Sequence, residues 1–457
     1  MNFVSVEFFV LAAIVLALLP LLAHRNQNIV ILIASYVFYG WWNWRYLPLI
    51  IIISLIDYYC AFAIDSTKIE RRRKLYLAIG LCANIGILAY FKYTDFLIDT
   101  VNVVAGTHWP LLHILLPIGV SFHTFQSMSY TIDVYRRKIL PIRNPLDYQL
   151  FVTFFPQLVA GPIERATQLL PQVLTHRKTT QYDVADGLAL ILRGYFKKVV
   201  IADNLAPIVD AVYASGSSRT GLAVVFATYA FALQIYCDFS GYTDIARGVA
   251  RLMGFRLMEN FKQPYFATNP SDFWRRWHIS LSTWLRDYLY IPLGGNRHGE
   301  LRTYVALSLT MLIGGIWHGA SWTFVLWGAY HGLALVIYRA FFRNRQRLPT
   351  WAKPIAIVAF FQFTCFGWML FRAQTFENFS SLFASLVSSQ GWTQAHPYNV
   401  SLLAACAVAV FVIDIWHEKR LRLPIPFWLK PAAFTLTCIA ILLWAPENVS
   451  SFIYFQF

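Results

Sequence analysis

The sequence predicts an all-α polytopic membrane protein, with about ten to thirteen transmembrane or re-entrant helices around a central tunnel. Three observations carry that reading. Of 457 residues, 58% are hydrophobic and only 13% are charged, whereas soluble domains run near 25% charged. The charges are bunched, leaving long stretches without Asp, Glu, Lys or Arg. Short segments of alternating polarity, the signature of a membrane β-barrel, are missing. The formal net charge is +15, from 38 basic and 23 acidic side chains. Such an excess can mark a nucleic-acid binder, but charge-poor runs of this length point to a bilayer.

A helix needs roughly 20 apolar residues to cross the hydrocarbon core. Charge-free stretches fall at 8–24, 26–44, 75–91, 101–132, 221–237, 303–338, 354–371, 378–413 and 431–446. Residues 46–64 join them, interrupted by Asp57 alone. The stretch 303–338 would be about 54 Å long as one helix, too long for a single crossing. Gly314, Gly315 and Gly319 supply places to break it, so two spans are expected to meet around 317–322. The pattern shows no low-complexity linker and no internal repeat, and the chain is read as one domain, 1–457, with its chemistry between about 269 and 332.

Charge placement sets an expected orientation. Glu7 precedes the first apolar run and Arg25 follows it, the reverse of a secretory signal, which places the N-terminus outside and Arg25 in the cytosol. Basic clusters at Lys68–Lys74, at Arg136, Arg137, Lys138 and Arg143, at Arg339, Arg343, Arg345 and Arg347, and at Lys419, Arg420 and Arg422 then all fall on the cytosolic side. The C-terminus ends outside. Anchoring of cytosolic loops accounts for most of the +15. The six cysteines form no CxxC pair, so neither a disulfide framework nor a zinc site is suggested.

Ionisable residues within spans are costly, which makes them candidates for function. Of the eleven histidines, His24, His176, His298 and His417 lie by basic loops, and His396 sits in an outer loop. His108, His113 and His123 follow or enter the fourth apolar stretch, where packing roles suffice. His318 and His331 differ, because each lies inside the longest charge-free stretch and beside a glycine: Trp317-His318-Gly319 and Tyr330-His331-Gly332. Two satisfied core histidines would look the same. No metal site is expected, since a spacing of thirteen residues fits no HExxH-type motif and no carboxylate completes a set.

The segment 269–296 is denser. Asn269 or Ser271 can cap a helix that starts after Pro270. Trp274, Trp277, Leu281, Trp284 and Leu285 recur at helical spacing as one apolar face, with Arg275, Arg276 and Arg286 on a basic one. An interfacial amphipathic helix with its aromatics at headgroup level would give this pattern. So would a helix whose arginines meet the phosphates of a ligand.

At these residues the chain resembles the membrane-bound O-acyltransferase superfamily, and within it the bacterial alginate O-acetylation branch. The resemblance covers 155–163, 234–244, 272–296, 314–322, 327–332 and the terminal 452–457, in order along most of the chain. It implies transfer of an acetyl or acyl group to a hydroxyl, with acetyl-CoA as donor on the cytosolic side, no metal, and the acceptor outside. It also implies a bacterial inner-membrane location and, as partner, an exported polysaccharide or an extracytoplasmic acetyltransferase. The family's catalytic histidine maps to His318 and its second position to His278. The expected roles are general base for His318 and orienting or oxyanion partner for His278. Arg275 and Arg276 would line the donor mouth, and His331 would support the site or pack. A D-alanyl transferase of teichoic acid export is the alternative enzyme. A transporter without chemistry is the alternative outside enzymes, and it would call for ion pairs or inverted repeats within the spans.

Overall fold

The computed structural model describes all residues except 160, 215, 217–218, 343–347, 389–399, 419–428, 447–451 and 454–457. His396, Arg343, Arg345, Arg347, Lys419, Arg420 and Arg422 lie outside the described residues, as do the side chain of His417 and most of the terminal 452–457 segment. Helices make up most of the described chain, and no strand occurs among the described residues. Five helical stretches are long and apolar enough to cross a membrane: His24–Ser66, Glu70–Ala105, Gly221–Leu252, Trp322–Phe342 and Ala352–Arg372. Shorter apolar helices cover Val6–Leu21, Val400–Ile413 and Phe434–Trp444. The protein is an all-α polytopic membrane protein.

Two apolar stretches divide as helix chemistry dictates. Within His24–Ser66, Asn43 is extended and its side chain accepts from Arg45 N, so a one-turn 3₁₀ segment at Trp44–Tyr46 separates two helices. The stretch 303–338 splits into Glu300–His318 and Trp322–Phe342. A third charge-free stretch, 101–132, divides as well. Helix Thr94–Ala105 stops at Gly106 in the left-handed region, non-helical chain follows through Pro110 and Pro117, and a second helix begins only at Val120. A left-handed glycine terminates a helix, and proline cannot continue one.

The chain forms two compact units, Met1–Ile191 with Tyr242–Met258, and Leu192–Gly241 with Glu259–Phe457. In the first, the helices Leu47–Ser66, Glu70–Leu88 and Val120–Tyr135 pack together around buried polar groups. Asn84 Nδ2 donates to Asp57 Oδ2 at 2.7 Å and Thr131 Oγ1 to Asp57 Oδ1 at 3.1 Å. His123 Nε2 lies 2.9 Å from Ser54 Oγ. Gly187 and Gly248 let two helices of this unit approach so closely that a Cβ at 248 would lie 2.6 Å from the Gly187 carbonyl.

In the second unit, Lys198 sits between Asp203 and Asp238, at 2.8 and 2.7 Å, with all three buried. A buried charge needs this kind of pairing. Asp238 Oδ2 also accepts from Ile453 N at 2.7 Å, which ties residue 453 to the helix Gly221–Leu252. The helices Glu300–His318 and Trp322–Phe342 form a tight hairpin. A Cβ at Gly315 would meet the Phe324 carbonyl at 2.4 Å, and one at Gly328 the Met311 carbonyl at 2.6 Å. Small residues allow that backbone contact, the usual basis of helix association in lipid.

Candidate active site

The second unit brings together most of the candidate residues. The segment 270–290 is not the single amphipathic helix its spacing suggests. Asn269 caps a short helix, Pro270–Trp274, through its side-chain oxygen to Asp272 N at 2.9 Å. The chain then breaks at His278, whose φ of 43° is left-handed, and restarts as Ile279–Leu285. Trp277, Leu281, Trp284 and Leu285 are buried inside protein rather than held at a headgroup boundary. The restart has a cause eighteen residues upstream. Asn260 O accepts Ile279 N at 2.9 Å and Asn260 Oδ1 accepts Ser280 N at 3.1 Å, so the first donors of the new helix are met by another segment. Lys262 N donates to Arg276 O at 2.9 Å, which fixes the two segments side by side.

His278 is fully buried. Its Nδ1 lies 3.2 Å from Asn260 Oδ1 and 3.3 Å from Ser280 Oγ. Phe239 meets its ring edge-on with centroids 4.7 Å apart. Burial pushes the imidazole down to a pKa of about 3, so the ring is neutral at physiological pH.

His318 ends its helix at the hairpin turn, 4% exposed. Aromatic rings wall it: Trp317 at 5.0 Å, Trp327 at 5.0 Å and Phe371 at 5.5 Å between centroids. Trp317 also faces His278 at 6.4 Å, so one indole touches both imidazoles. Gly319, which follows His318, admits no side chain, because a Cβ there would lie 2.0 Å from Phe324. His331, buried one helix further on, packs among Trp327 at 4.6 Å, Trp274 at 5.2 Å and Phe273 at 6.1 Å. Its Nδ1 has no hydrogen-bond partner among the described residues. The sequence brought His318 and His331 forward together, and the structure places His331 in an aromatic stack.

A cavity of about 890 Å³ opens beside this segment, lined among others by Asp272, Arg275, Ile279, Ser282, Arg286, Met311 and Arg339. Arg286 pairs with Asp287 at 2.7 Å and Arg339 with Glu300 at 2.8 Å. The Arg275 guanidinium makes no hydrogen bond or ion pair among the described residues and is exposed. Arg276 differs: it bonds Asp272 at 2.9 Å and is absent from the cavity lining. No group of three or more metal-ligating side chains occurs among the described residues. Asn260 is the residue the sequence reading missed. It lies outside the dense motif and acts through a contact that no local pattern encodes.

The unit holds the buried imidazoles of His278 and His318 and a cavity lined by Arg275, with neither imidazole among the lining residues. Imidazoles can move a hydroxyl proton, and an arginine can hold a phosphate. Comparison with known proteins gives the family. The family model of the membrane-bound O-acyltransferase family matches residues 36–380. The probable alginate O-acetylase AlgI of Azotobacter vinelandii is 41% identical over 425 residues, covering 91% of this chain and 84% of that protein. AlgI of Pseudomonas putida is 41% identical over 414 residues, or 90% and 84% of the two chains. The peptidoglycan O-acetyltransferase of Helicobacter pylori is 39% identical over 395 residues, or 80% and 75%. The chain belongs to the membrane-bound O-acyltransferase family and is an O-acyltransferase.

Proposed function

We propose that this O-acyltransferase, acting as a single catalytic domain in a bacterial inner membrane, moves an acetyl group from a cytosolic thioester to a hydroxyl on the outer side. Acetyl-CoA is the donor, and the product is an O-acetylated exported polysaccharide such as alginate. The acceptor is the sugar itself or an extracytoplasmic acetyltransferase that completes the transfer. The names of the relatives support acetyl as the group and a cell-envelope polymer as its destination. The basic clusters support the orientation, with donor side in the cytosol and both termini outside.

The single observation that carries the chemistry is the pair of buried imidazoles sharing Trp317. An alcohol is a weak nucleophile at neutral pH, so a positioned imidazole must take its proton as it attacks the thioester carbonyl. His318 is assigned that role. His278 orients the reacting groups beside it. The proton passes to the departing thiolate, and the balance closes without a metal. At the donor side, Arg275 has no carboxylate partner among the described residues and lines the cavity, which suits it to a phosphate of the donor. Arg276, engaged by Asp272, holds the segment in place.

The test is reconstitution of the full chain in proteoliposomes with acetyl-labelled CoA supplied on one side. Release of free CoA and labelling of a polysaccharide or partner on the opposite side are expected, both lost in His318→Ala. Turnover only with a carrier-protein thioester of D-alanine would replace the acetyl reading with the teichoic acid one. Passage of label without thioester cleavage would sink catalysis altogether.

A further inference from the structure

We infer that Asn260 is a positioning residue of the reaction: it holds His278 as the Nδ1–H tautomer, so that Nε2 acts on the substrate as a hydrogen-bond acceptor and never as an oxyanion donor. The inference rests on the assignment of His278 to the reacting pair.

The argument begins with an unambiguous donor. The oxygen and nitrogen of a carboxamide have the same shape, and only the network around them says which is which. Here the backbone N–H of Ser280 lies 3.1 Å from Asn260 Oδ1. A backbone amide can only donate, so the oxygen must face it. Ser280 Oγ donates to the same oxygen at 3.0 Å. The third neighbour is His278 Nδ1, at 3.2 Å from that oxygen. A bare Nδ1 would set its lone pair against the carbonyl lone pairs, so the proton belongs on Nδ1. With Nδ1 protonated, Ser280 Oγ at 3.3 Å offers a second lone pair to the same N–H. Neutral imidazole carries one ring proton, and Nε2 is left with its lone pair.

Asn260 cannot turn away from this duty. Its main-chain oxygen and its side-chain oxygen both cap the helix Ile279–Leu285, and the residue is fully buried. Its Nδ2 has no hydrogen-bond partner among the described residues, an expensive state for a buried donor. An aspartate would satisfy the same three donors without stranding an N–H group. It would also add a negative charge that draws a second proton onto the ring and occupies Nε2. The asparagine therefore supplies the oxygen without the charge. One consequence divides the two roles open to His278. An oxyanion needs N–H donors, and Nε2 has none to give, so His278 orients the substrates by accepting a hydrogen bond from a donor other than the reacting hydroxyl, whose proton goes to His318.

The experiment uses the reconstituted full chain with acetyl-CoA, comparing wild type with N260A, N260D and H278A. Imidazole ¹⁵N spectra of histidine-labelled wild type, with the His278 signal identified by its loss in H278A, should show protonation at Nδ1. N260A should lower kcat by up to roughly 10²-fold with little change in KM, no more than the loss in H278A, because a positioning residue acts only through the histidine it holds. N260D should keep most of its activity at high pH and lose it at a higher pH than wild type, because the added carboxylate raises the pKa of His278. A role confined to capping the helix would lower folded yield in both variants and leave the pH limb where it was. A wild-type spectrum with the proton on Nε2, or an N260A enzyme with full kcat beside an H278A enzyme that has lost about 10²-fold, overturns the inference alone. Full turnover by H278A overturns the site reading on which it rests.

Discussion

His123 in the first unit and His278 in the second are both closed to solvent, at 1% and 0% exposed, yet they are held in opposite ways. His123 sits in the regular helix Val120–Tyr135. The Ser54 hydroxyl beside it already donates to Ile50 O at 2.7 Å, so it accepts from His123 Nε2, and the proton lies on that nitrogen. The link joins two helices and asks nothing of the backbone. His278 occupies a left-handed break between two short helices, a conformation that costs a non-glycine residue about 1 kcal/mol. Its proton is fixed on the other nitrogen by a neighbour that also caps a helix. Burial is common to both and distinguishes nothing. Backbone strain together with an enforced tautomer sets the second apart, because strain persists only where the surroundings impose it.

Replacing each histidine gives the sharpest test of that contrast. His318→Ala should abolish transfer, a loss of roughly 10³-fold or more expected from removal of a general base, with insertion and yield preserved. His123→Ala should leave turnover per folded molecule unchanged and lower thermal stability in detergent. Thioester turnover and melting measured on the same samples separate the two, and full activity in His318→Ala would break the comparison at its root. His278→Ala is expected to lose about 10²-fold, with residual activity from His318. An unaffected rate would place His278 beside His123 as a packing residue.

Arg275 and Arg276 extend the same test to the donor side with a smaller effect. Adjacent in sequence, they differ in what they touch: Arg275 lines the cavity with no ion pair among the described residues, while Arg276 is paired with Asp272. Arg275→Ala should raise KM for acetyl-CoA about fivefold to tenfold, the worth of one charge-assisted bond near solvent, with kcat unchanged. Arg276→Ala should reduce folded yield more than it alters KM. Equal KM shifts in the two variants would show that both arginines meet the donor.

Much of this was legible in the sequence. Scarce charge identified the membrane, excess length forced a hairpin break around 317–322, and an asparagine before proline announced the helix at 270. What the sequence misjudged was continuity. Trp274, Trp277, Leu281 and Trp284 keep helical spacing across a break, because their periodicity reports a shared buried surface and says nothing of the peptide bonds between them. The break is set by Asn260, eighteen residues from His278 and within no motif. Likewise 101–132 has no charge to interrupt it, but Gly106 and two prolines end the helix on backbone grounds alone.

The smallest expected effect concerns stability, and it lies in the first unit. Glu164 is buried in the loop before the helix Ala166–Leu174, with Oε1 accepting Met258 N at 2.6 Å. Burial pushes its carboxyl up to about 7, against the opposing pull of that N–H and of Arg247 and Arg165. A raised carboxyl favours the folded state while it is protonated. The contribution is whole below the unfolded value near 4.5 and is lost as pH rises through about 7. Stability in detergent should therefore fall between pH 5 and pH 8, by up to ~3 kcal/mol on the linkage relation. Glu164→Gln keeps an acceptor for Met258 N and has no proton to lose, so its melting temperature should stay level across that window while its turnover matches wild type. A slope equal to that of wild type would mean that another group titrates there. A turnover that changed with the slope would mean that the loop through Met258 reports to Asn260, two residues further along the chain, and that the two regions are less independent than their histidines suggest.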